Sequence, residues 1–386
     1  MSFQLTEDQL MIQTMVRDFS RNVVSPTAMK RDQTKEFPAE NLKQMGELGL
    51  MGMMIPPEYN GAGTDTVAYV LALSEIAYSC ASTAVVMSVQ NSIVCESIYR
   101  FGTDDQKERF LKPLAAGEII GAFALTEPNA GSDPVSQKTN AVRDGDFYIL
   151  NGTKRFITSG KNSRVVIVTA VTDESKRHRG ISTFLVKKET PGFIVGNMEN
   201  KMGLRASDTT DLIFKDCRVP AKDMLGKEGE GFMITMTGLD GGRIGIAAQS
   251  VGVAQAALDA AVQYSKEREQ FGQPISKFQG LRWMIADMAT EIEAARQLMF
   301  SAAAMKDRGE KYTAQASMAK LFASEMVNRV TAKALQIHGG YGYIKEYPVE
   351  RFYRDARVFT IYEGTSEIQR IVISNHILKD KRRPNS

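Results

Sequence analysis

Asp144-Gly145-Asp146-Phe147-Tyr148-Ile149-Leu150-Asn151-Gly152-Thr153-Lys154 sets aromatic and branched side chains among turn formers, the composition of a short strand. Four further segments share this texture: Ile119–Ala124, Val165–Val171, Ser182–Lys187 and Thr210–Phe214. Gly, Asn, Asp and Pro separate them, so residues 121–230 read as an antiparallel, barrel-like β-domain. On either side the pattern becomes helical. Within residues 1–120, Thr6-Glu7-Asp8-Gln9 followed by Leu10, Met11, Met15, Val16 and Phe19 gives a capping threonine and then helical spacing. Pro38 sits in the first turn of another helix, Met53–Gly63 reads as loop, and Thr66–Tyr99 reads as two buried helices broken near Ser79–Ser82. Within residues 231–386, helical patterns cover 231–266, 277–306 and 311–338, with a last one from about Ser366 to Leu378. Their length and succession predict a four-helix bundle. The fold class is therefore α+β: an N-terminal helical domain, a central antiparallel β-domain and a C-terminal four-helix bundle. This order lacks the strand–helix alternation of a doubly wound sheet. The glycines of Gly226-Lys227-Glu228-Gly229-Glu230-Gly231 follow no strand–turn–helix unit, which argues against a nicotinamide-binding fold.

Composition narrows the function classes. With 386 residues, 43% hydrophobic and 24% charged, the chain has the make-up of a soluble globular protein, and a net charge of +3 offers no basic patch for nucleic acid. Cys80, Cys95 and Cys217 lack C-x-x-C spacing and read as reduced core thiols, as in a cytoplasmic protein. His178, His338 and His376 lie far apart, so no metal is expected. The N-terminus carries no basic-then-apolar signal, and no apolar run approaches the roughly 18 residues of a membrane span. The basic run Lys379–Arg383 reads as a solvated tail.

Four segments carry chemistry. Ile361-Tyr362-Glu363-Gly364-Thr365-Ser366-Glu367-Ile368-Gln369-Arg370 places a lone carboxylate between an aromatic ring, which can exclude water, and a glycine, which lets a substrate approach the main chain. A carboxylate kept dry in this way becomes a base near neutral pH. Ala122–Asp133 joins a strand end to hydroxyls and a tight turn, so that free amides could meet a heterocycle. Lys154–Gly160 offers a ring for stacking and a nearby hydroxyl. Gly238-Leu239-Asp240-Gly241-Gly242-Arg243 sets Asp and Arg about one helical turn apart. Taken singly, each segment is as readily a hairpin turn or a capped helix.

Together, in this order on an α-β-α chain, they resemble the acyl-CoA dehydrogenase family over residues 5–378. Ile55–Gly63, Arg268-Glu269-Gln270-Phe271-Gly272 with Gln279, and Gln336–Gly342 match as well. The likeness is strongest to the short-chain, branched-chain and related bacterial members. It implies FAD as cofactor: Phe123, Leu125 and Thr126 on the flavin pyrimidine edge, Phe156 over one flavin face where most relatives have Trp, and Thr158 near N5. It also implies that Arg268, Phe271 and Gln279, together with Gln336, Gly339 and Gly340, reach the FAD of a neighbouring subunit, hence a homotetramer built as a dimer of dimers. Thr365 and Glu367 resemble the final cofactor contacts. On the substrate side, Ser132 (expected among the cofactor contacts as well), Asp240, Arg243 and Gly364 resemble the acyl-CoA contacts and Glu363 the catalytic base. The implied reaction yields a trans-2-enoyl-CoA, with electrons passing to electron-transferring flavoprotein.

Some relatives place the base one residue before the arginine of the Asp-x-x-Arg motif; that residue here is Gly242, which cannot serve. Ala81–Cys95, expected beside the acyl group, contains no Lys or Arg, which argues against a dicarboxylic substrate and for a short, branched or alicyclic one. Gln90 and Asn91 in that segment read first as polar core residues. An acyl-CoA oxidase or a flavin monooxygenase on the same fold stays open as an alternative.

Overall fold

A computed structural model of the protein describes residues 4–378; the tail reading at Lys379–Arg383 lies outside them. Helices occupy the chain from Glu7 to Ala115, strands from Gly121 to Leu225, and helices again from Gly231 to Leu378. The first helix, Glu7–Phe19, opens with a capping box in which the Gln9 amide donates to Thr6 Oγ1 at 3.2 Å and the Thr6 amide to Gln9 Oε1 at 3.0 Å. Pro38 stands one place earlier than read, as the N-cap of Ala39–Glu47. Thr66–Ser79 is buried on nearly every face and stops at Cys80, whose extended backbone separates it from Ala81–Ser88.

The segment Val89–Cys95 is a wide helical turn, and it answers the question about Gln90 and Asn91. Gln90 donates to Leu114 O at 2.7 Å and Ile119 O at 3.1 Å and accepts from the Gly121 amide at 2.9 Å. Asn91 accepts from the Met53 amide at 2.7 Å and donates to Leu50 O and Met87 O. Both side chains tie down backbone that would otherwise be buried unpaired, which is a structural role.

The sheet has eight strands: β1 (Gly121–Ala124), β2 (Asn140–Asp144), β3 (Phe147–Thr158), β4 (Val165–Val171), β5 (Ile181–Lys187), β6 (Phe193–Met198), β7 (Thr209–Pro220) and β8 (Met224–Leu225). The order is β6-β7-β3-β2-β4-β5-β8, with β1 beside β4. Pairing is antiparallel except that β1 runs parallel to β4, and β2 meets β4 in parallel at Asn140 and Val171. The purely antiparallel expectation fails at this point because the β2–β3 hairpin intervenes and brings the chain back in its original direction. Three strands, β2, β6 and β8, have no counterpart in the sequence reading. Val142 in β2 is 63% exposed, β6 pairs with β7 alone, and β8 is two residues long, so none carries the apolar pattern of a core strand.

The Gly231–Glu267 helix is long and apolar enough to cross a membrane by composition, but 83% of its most apolar window is buried inside the protein. It packs against Thr66–Ser79, Gln279–Asp307 and Thr313–His338, as the central helix of the C-terminal part. A short helix, Val349–Ala356, precedes Ser366–Leu378 and was not anticipated. One apolar core runs through the N-terminal helices and the C-terminal bundle together, with Tyr69, Leu73, Ile244, Ile246 and Met326 fully buried in it. The sheet has a core of its own around Leu150, Val168 and Phe184.

Candidate active site

Glu363 lies in the turn between the short helix Val349–Ala356 and the last helix. Its φ is 51°, a left-handed conformation for a residue with a side chain, and Gly364 follows at 93°. Such a backbone costs on the order of 1–3 kcal/mol and persists where the surroundings over-determine it. Here Lys320 Nζ donates to Gly364 O at 2.7 Å, and Gln369 Nε2 donates to the same oxygen at 2.9 Å. The Tyr362 ring stacks on Phe359 with centroids 5.7 Å apart, and its hydroxyl donates to Gln249 Oε1 at 2.8 Å.

The Glu363 carboxyl is sealed from solvent at Oε2, which has no hydrogen-bond partner. Burial pushes it up to about 7, against the opposing pull of Lys320 and Arg243. It rests on the bare backbone of Gly242: a methyl group there would come within 2.2 Å of Oε2. The position that cannot act as a base is thus the space that the carboxylate fills. Gly242→Ala is expected to displace Oε2 and slow substrate-driven flavin bleaching by about 100-fold, the effect of moving a reacting group by roughly 1 Å. The check is a stopped-flow bleaching rate on variant that retains its flavin spectrum; an unchanged rate contradicts the contact.

Arg243 follows directly on the helix. It is 5% exposed, ion-pairs with Asp240, and reaches Ser317 Oγ at 3.5 Å. Asp240 also accepts from Thr313 Oγ1 at 2.5 Å. Burial draws Arg243 below its ordinary value and Asp240 above, and each opposes the shift of the other. The structure therefore brings Asp240, Gly242, Arg243, Glu363 and Gly364 together. Across from them, Ile93 lies against Gly242, while Ser88 Oγ and the Tyr69 hydroxyl fill the space at Gly245, where a methyl group would come within 2.4 Å and 2.9 Å of them.

A second constellation forms where β1 ends beside β3. Strand β3 alternates with Tyr148, Leu150 and Lys154 inward, then shifts register between Lys154 and Ile157. Phe156 sits in this bulge with φ 59° and is 57% exposed, so its ring is presented outward while Ile157 turns in. The Arg155 amide donates to Thr126 O at 2.8 Å, binding the bulge to the end of β1. Among the described residues, the amides of Leu125 and Thr126 and the hydroxyls of Thr126 and Thr158 have no partner. Adjacent unused donors beside an open aromatic face suit the polar edge and plane of a flavin, so the residues present fit FAD.

This platform has a support the sequence reading missed. Lys154, wholly buried, donates to Leu125 O at 3.0 Å, Glu127 Oε1 at 2.8 Å, Gln137 Oε1 at 3.0 Å and Thr169 Oγ1 at 3.1 Å. Glu127 accepts in addition from the amides of Lys138 and Thr139. Burial lowers Lys154 to about 8 although Glu127 opposes it.

The other expected residues lie elsewhere. Ser132 is exposed, and Thr365 Oγ1 accepts from the Ile368 amide at 3.3 Å, capping the last helix beside exposed Glu367. The Arg268 guanidinium lies over Tyr341 at 5.5 Å, which sets the Arg268–Phe271 hairpin beside the Gly339–Gly340 turn. Phe271 is 93% exposed, and Gln279, Gln336, Gly339 and Gly340 are exposed as well. Among the described residues, no hydrogen bond, ion pair or ring contact joins this cluster to the Phe156 platform.

Comparison with known proteins agrees along the whole chain. The family models for the acyl-CoA dehydrogenase N-terminal, middle and C-terminal domains match residues 6–118, 122–217 and 229–378. The short-chain specific acyl-CoA dehydrogenase of Clostridium acetobutylicum is 50% identical over 98% of this chain and 100% of its own. The structure of butyryl-CoA dehydrogenase from Megasphaera elsdenii superposes with a TM-score of 0.97 at 46% identity, covering 98% of this chain and 100% of that one. A chain in the structure of the electron-transferring flavoprotein of Acidaminococcus fermentans gives 0.97 at 50% identity, with coverage of 98% and 100%. With its dry carboxyl and flavin-shaped platform on this fold, the chain belongs to the acyl-CoA dehydrogenase family.

Proposed function

We propose that the protein oxidises a short acyl-CoA thioester to the trans-2-enoyl-CoA, with Glu363 as the base that removes the α-proton. The observation that carries this reading is the Glu363 carboxyl itself: sealed, free of hydrogen bonds at Oε2, and raised to about 7. A base of that strength is ionised for a useful fraction of the time at neutral pH and binds the proton well once it has it. FAD, when bound, takes up the hydride that leaves the β-carbon. The chain's own residues supply the rest. The Glu363 amide donates to the thioester carbonyl and stabilises the developing enolate, while Phe123, Leu125, Thr126, Phe156 and Thr158 hold the cofactor. Ser132, Asp240, Arg243 and Gly364 hold the substrate. Thr365 and Glu367 complete the cofactor contacts. Electrons pass to electron-transferring flavoprotein.

A short acyl group is favoured because Tyr69 and Ser88 already fill the space at Gly245, one turn beyond Gly242 on the same helix. The butyryl-CoA and short-chain relatives support the same choice. Half-buried Arg268 and exposed Phe271, Gln279, Gln336, Gly339 and Gly340 extend the reading to FAD sites completed by a second subunit in a homotetramer, and three buried free cysteines suit a cytoplasmic enzyme.

The test is anaerobic flavin bleaching with a panel of straight, branched, cyclic and dicarboxylic acyl-CoAs. A four-carbon substrate is expected to bleach fastest, and its rate is expected to rise with pH through about 7, because only ionised Glu363 can accept the proton. A preparation that cannot be loaded with FAD, or one that no acyl-CoA bleaches, contradicts the assignment. Rapid oxygen consumption in place of dye reduction would favour an oxidase.

A further inference from the structure

Lys320 is the only Lys or Arg between Lys311 and Arg329, set in the small, apolar run Ala314-Gln315-Ala316-Ser317-Met318-Ala319-Lys320-Leu321-Phe322-Ala323. On the Thr313–His338 helix it shares a face with Ala316, Ala323 and Val327, and it is as completely buried as they are. Burying an ammonium costs several kcal/mol unless partners compensate it. Lys154, equally buried, has four acceptors, one of them a carboxylate. Lys320 has a single hydrogen bond among the described residues, to Gly364 O at 2.7 Å, and no ion pair. A methionine would fill that space more cheaply, so packing does not account for the charge.

The hydrogen bond falls on the carbonyl directly after the base. Glu363 and Gly364 both have positive φ, and the Gly364 carbonyl is held between Lys320 and Gln369. We propose that Lys320 is a positioning residue: its ammonium fixes the Gly364 carbonyl, and with it the strained Glu363 backbone, and is the fixed charge against which the Glu363 carboxylate ionises. The proposal rests on the assignment of Glu363 as base.

The charges around the pair can be enumerated. Glu363 is faced by Lys320 from the Thr313–His338 helix, by Arg243 from the Gly231–Glu267 helix and by Tyr69 from the Thr66–Ser79 helix, with Tyr362 beside it. Lys320 is faced by Glu363 and Glu367 from the final turn and helix, by Arg243, and by Glu325 on its own helix. Burial brings Lys320 down to about 8, so it stays mostly protonated at neutral pH. Among the described residues, removing it leaves Arg243 as the single cation acting on the carboxylate.

The experiment compares Lys320→Met, which removes both charge and donor, with Lys320→Gln, which keeps a donor without the charge. FAD content is read from the visible spectrum, and single-turnover bleaching is measured against pH. In both variants the pH of half-maximal bleaching is expected to move up by about one unit, the usual effect of losing a nearby opposite charge. The plateau rate is expected to fall about tenfold in Lys320→Met and to recover in Lys320→Gln, because the amide can still hold Gly364. Variants that bind FAD yet keep the wild-type pH dependence, or that fail to fold in both forms, make Lys320 a structural residue and overturn the proposal. Failure of the base assignment is a separate outcome, seen as normal bleaching by Glu363→Gln.

Discussion

Glu363→Gln is expected to fold, bind FAD and acyl-CoA, and lose flavin bleaching by about 10²- to 10⁴-fold, the contribution of a well-placed general base. The substitution changes little in volume, and Oε2 has no hydrogen bond to lose. Its effect on stability has a definite sign. The carboxyl is raised by burial to about 7, so the folded state resists its ionisation. Between the ordinary value of 4.5 and about 7 the unfolded chain binds fewer protons than the folded one, and stability falls as pH rises through that window. The amide removes this dependence. The variant is therefore expected to melt higher than wild type above about pH 7 and at the same temperature below about pH 4.5, readable from paired thermal scans. Bleaching at near wild-type rate would dismiss Glu363 as the base.

Lys154→Met is expected to be the most damaging single change in the sheet. It strands the Glu127 carboxylate in a buried site, and breaking such a pair costs about 3–5 kcal/mol. It also frees Leu125 O, which Lys154 holds at 3.0 Å, at the point where the unused amides face outward. Loss of bound FAD should therefore accompany the loss of stability, measured by denaturant titration and the visible spectrum. Adding Glu127→Gln removes the uncompensated charge and should recover part of the stability, while FAD affinity stays weak because the clamp on Leu125 is still missing. A single variant as stable as wild type would mean that the network contributes nothing.

Glu363 between Tyr362 and Gly364 proves little by itself and becomes legible only beside the other segments that accompany it, because its dryness comes from packing on Gly242, far away in the chain. The order of helices, strands and helices is plain, since central strands such as Val165–Val171 are apolar but for Thr169. Edge strands are less legible: β6 is half solvent-facing and resembles loop. Phe156 was identified as a ring, but its bulge was not, because a register shift depends on β7 and leaves no mark on β3 alone. The two buried lysines were missed for a different reason. Lysine reads as surface, and only phase betrays these two: Lys320 falls in step with Ala316 and Ala323, and Lys154 with Tyr148 and Leu150. Gly242 was read as an absent base, whereas its Cα surface turned out to be the carboxylate's resting place.

The apolar core shared by the N-terminal helices and the C-terminal bundle has a consequence for biosynthesis. The Thr66–Ser79 helix, apolar on nearly every face, leaves the ribosome long before the Gly231–Glu267 helix that covers it. At common translation rates that interval is on the order of ten seconds, during which the sheet can fold on its own core while the first helices wait unpaired. Until its second half is made, the nascent chain therefore carries apolar surface without its final cover, and its earliest segment completes its packing only when the late helix arrives.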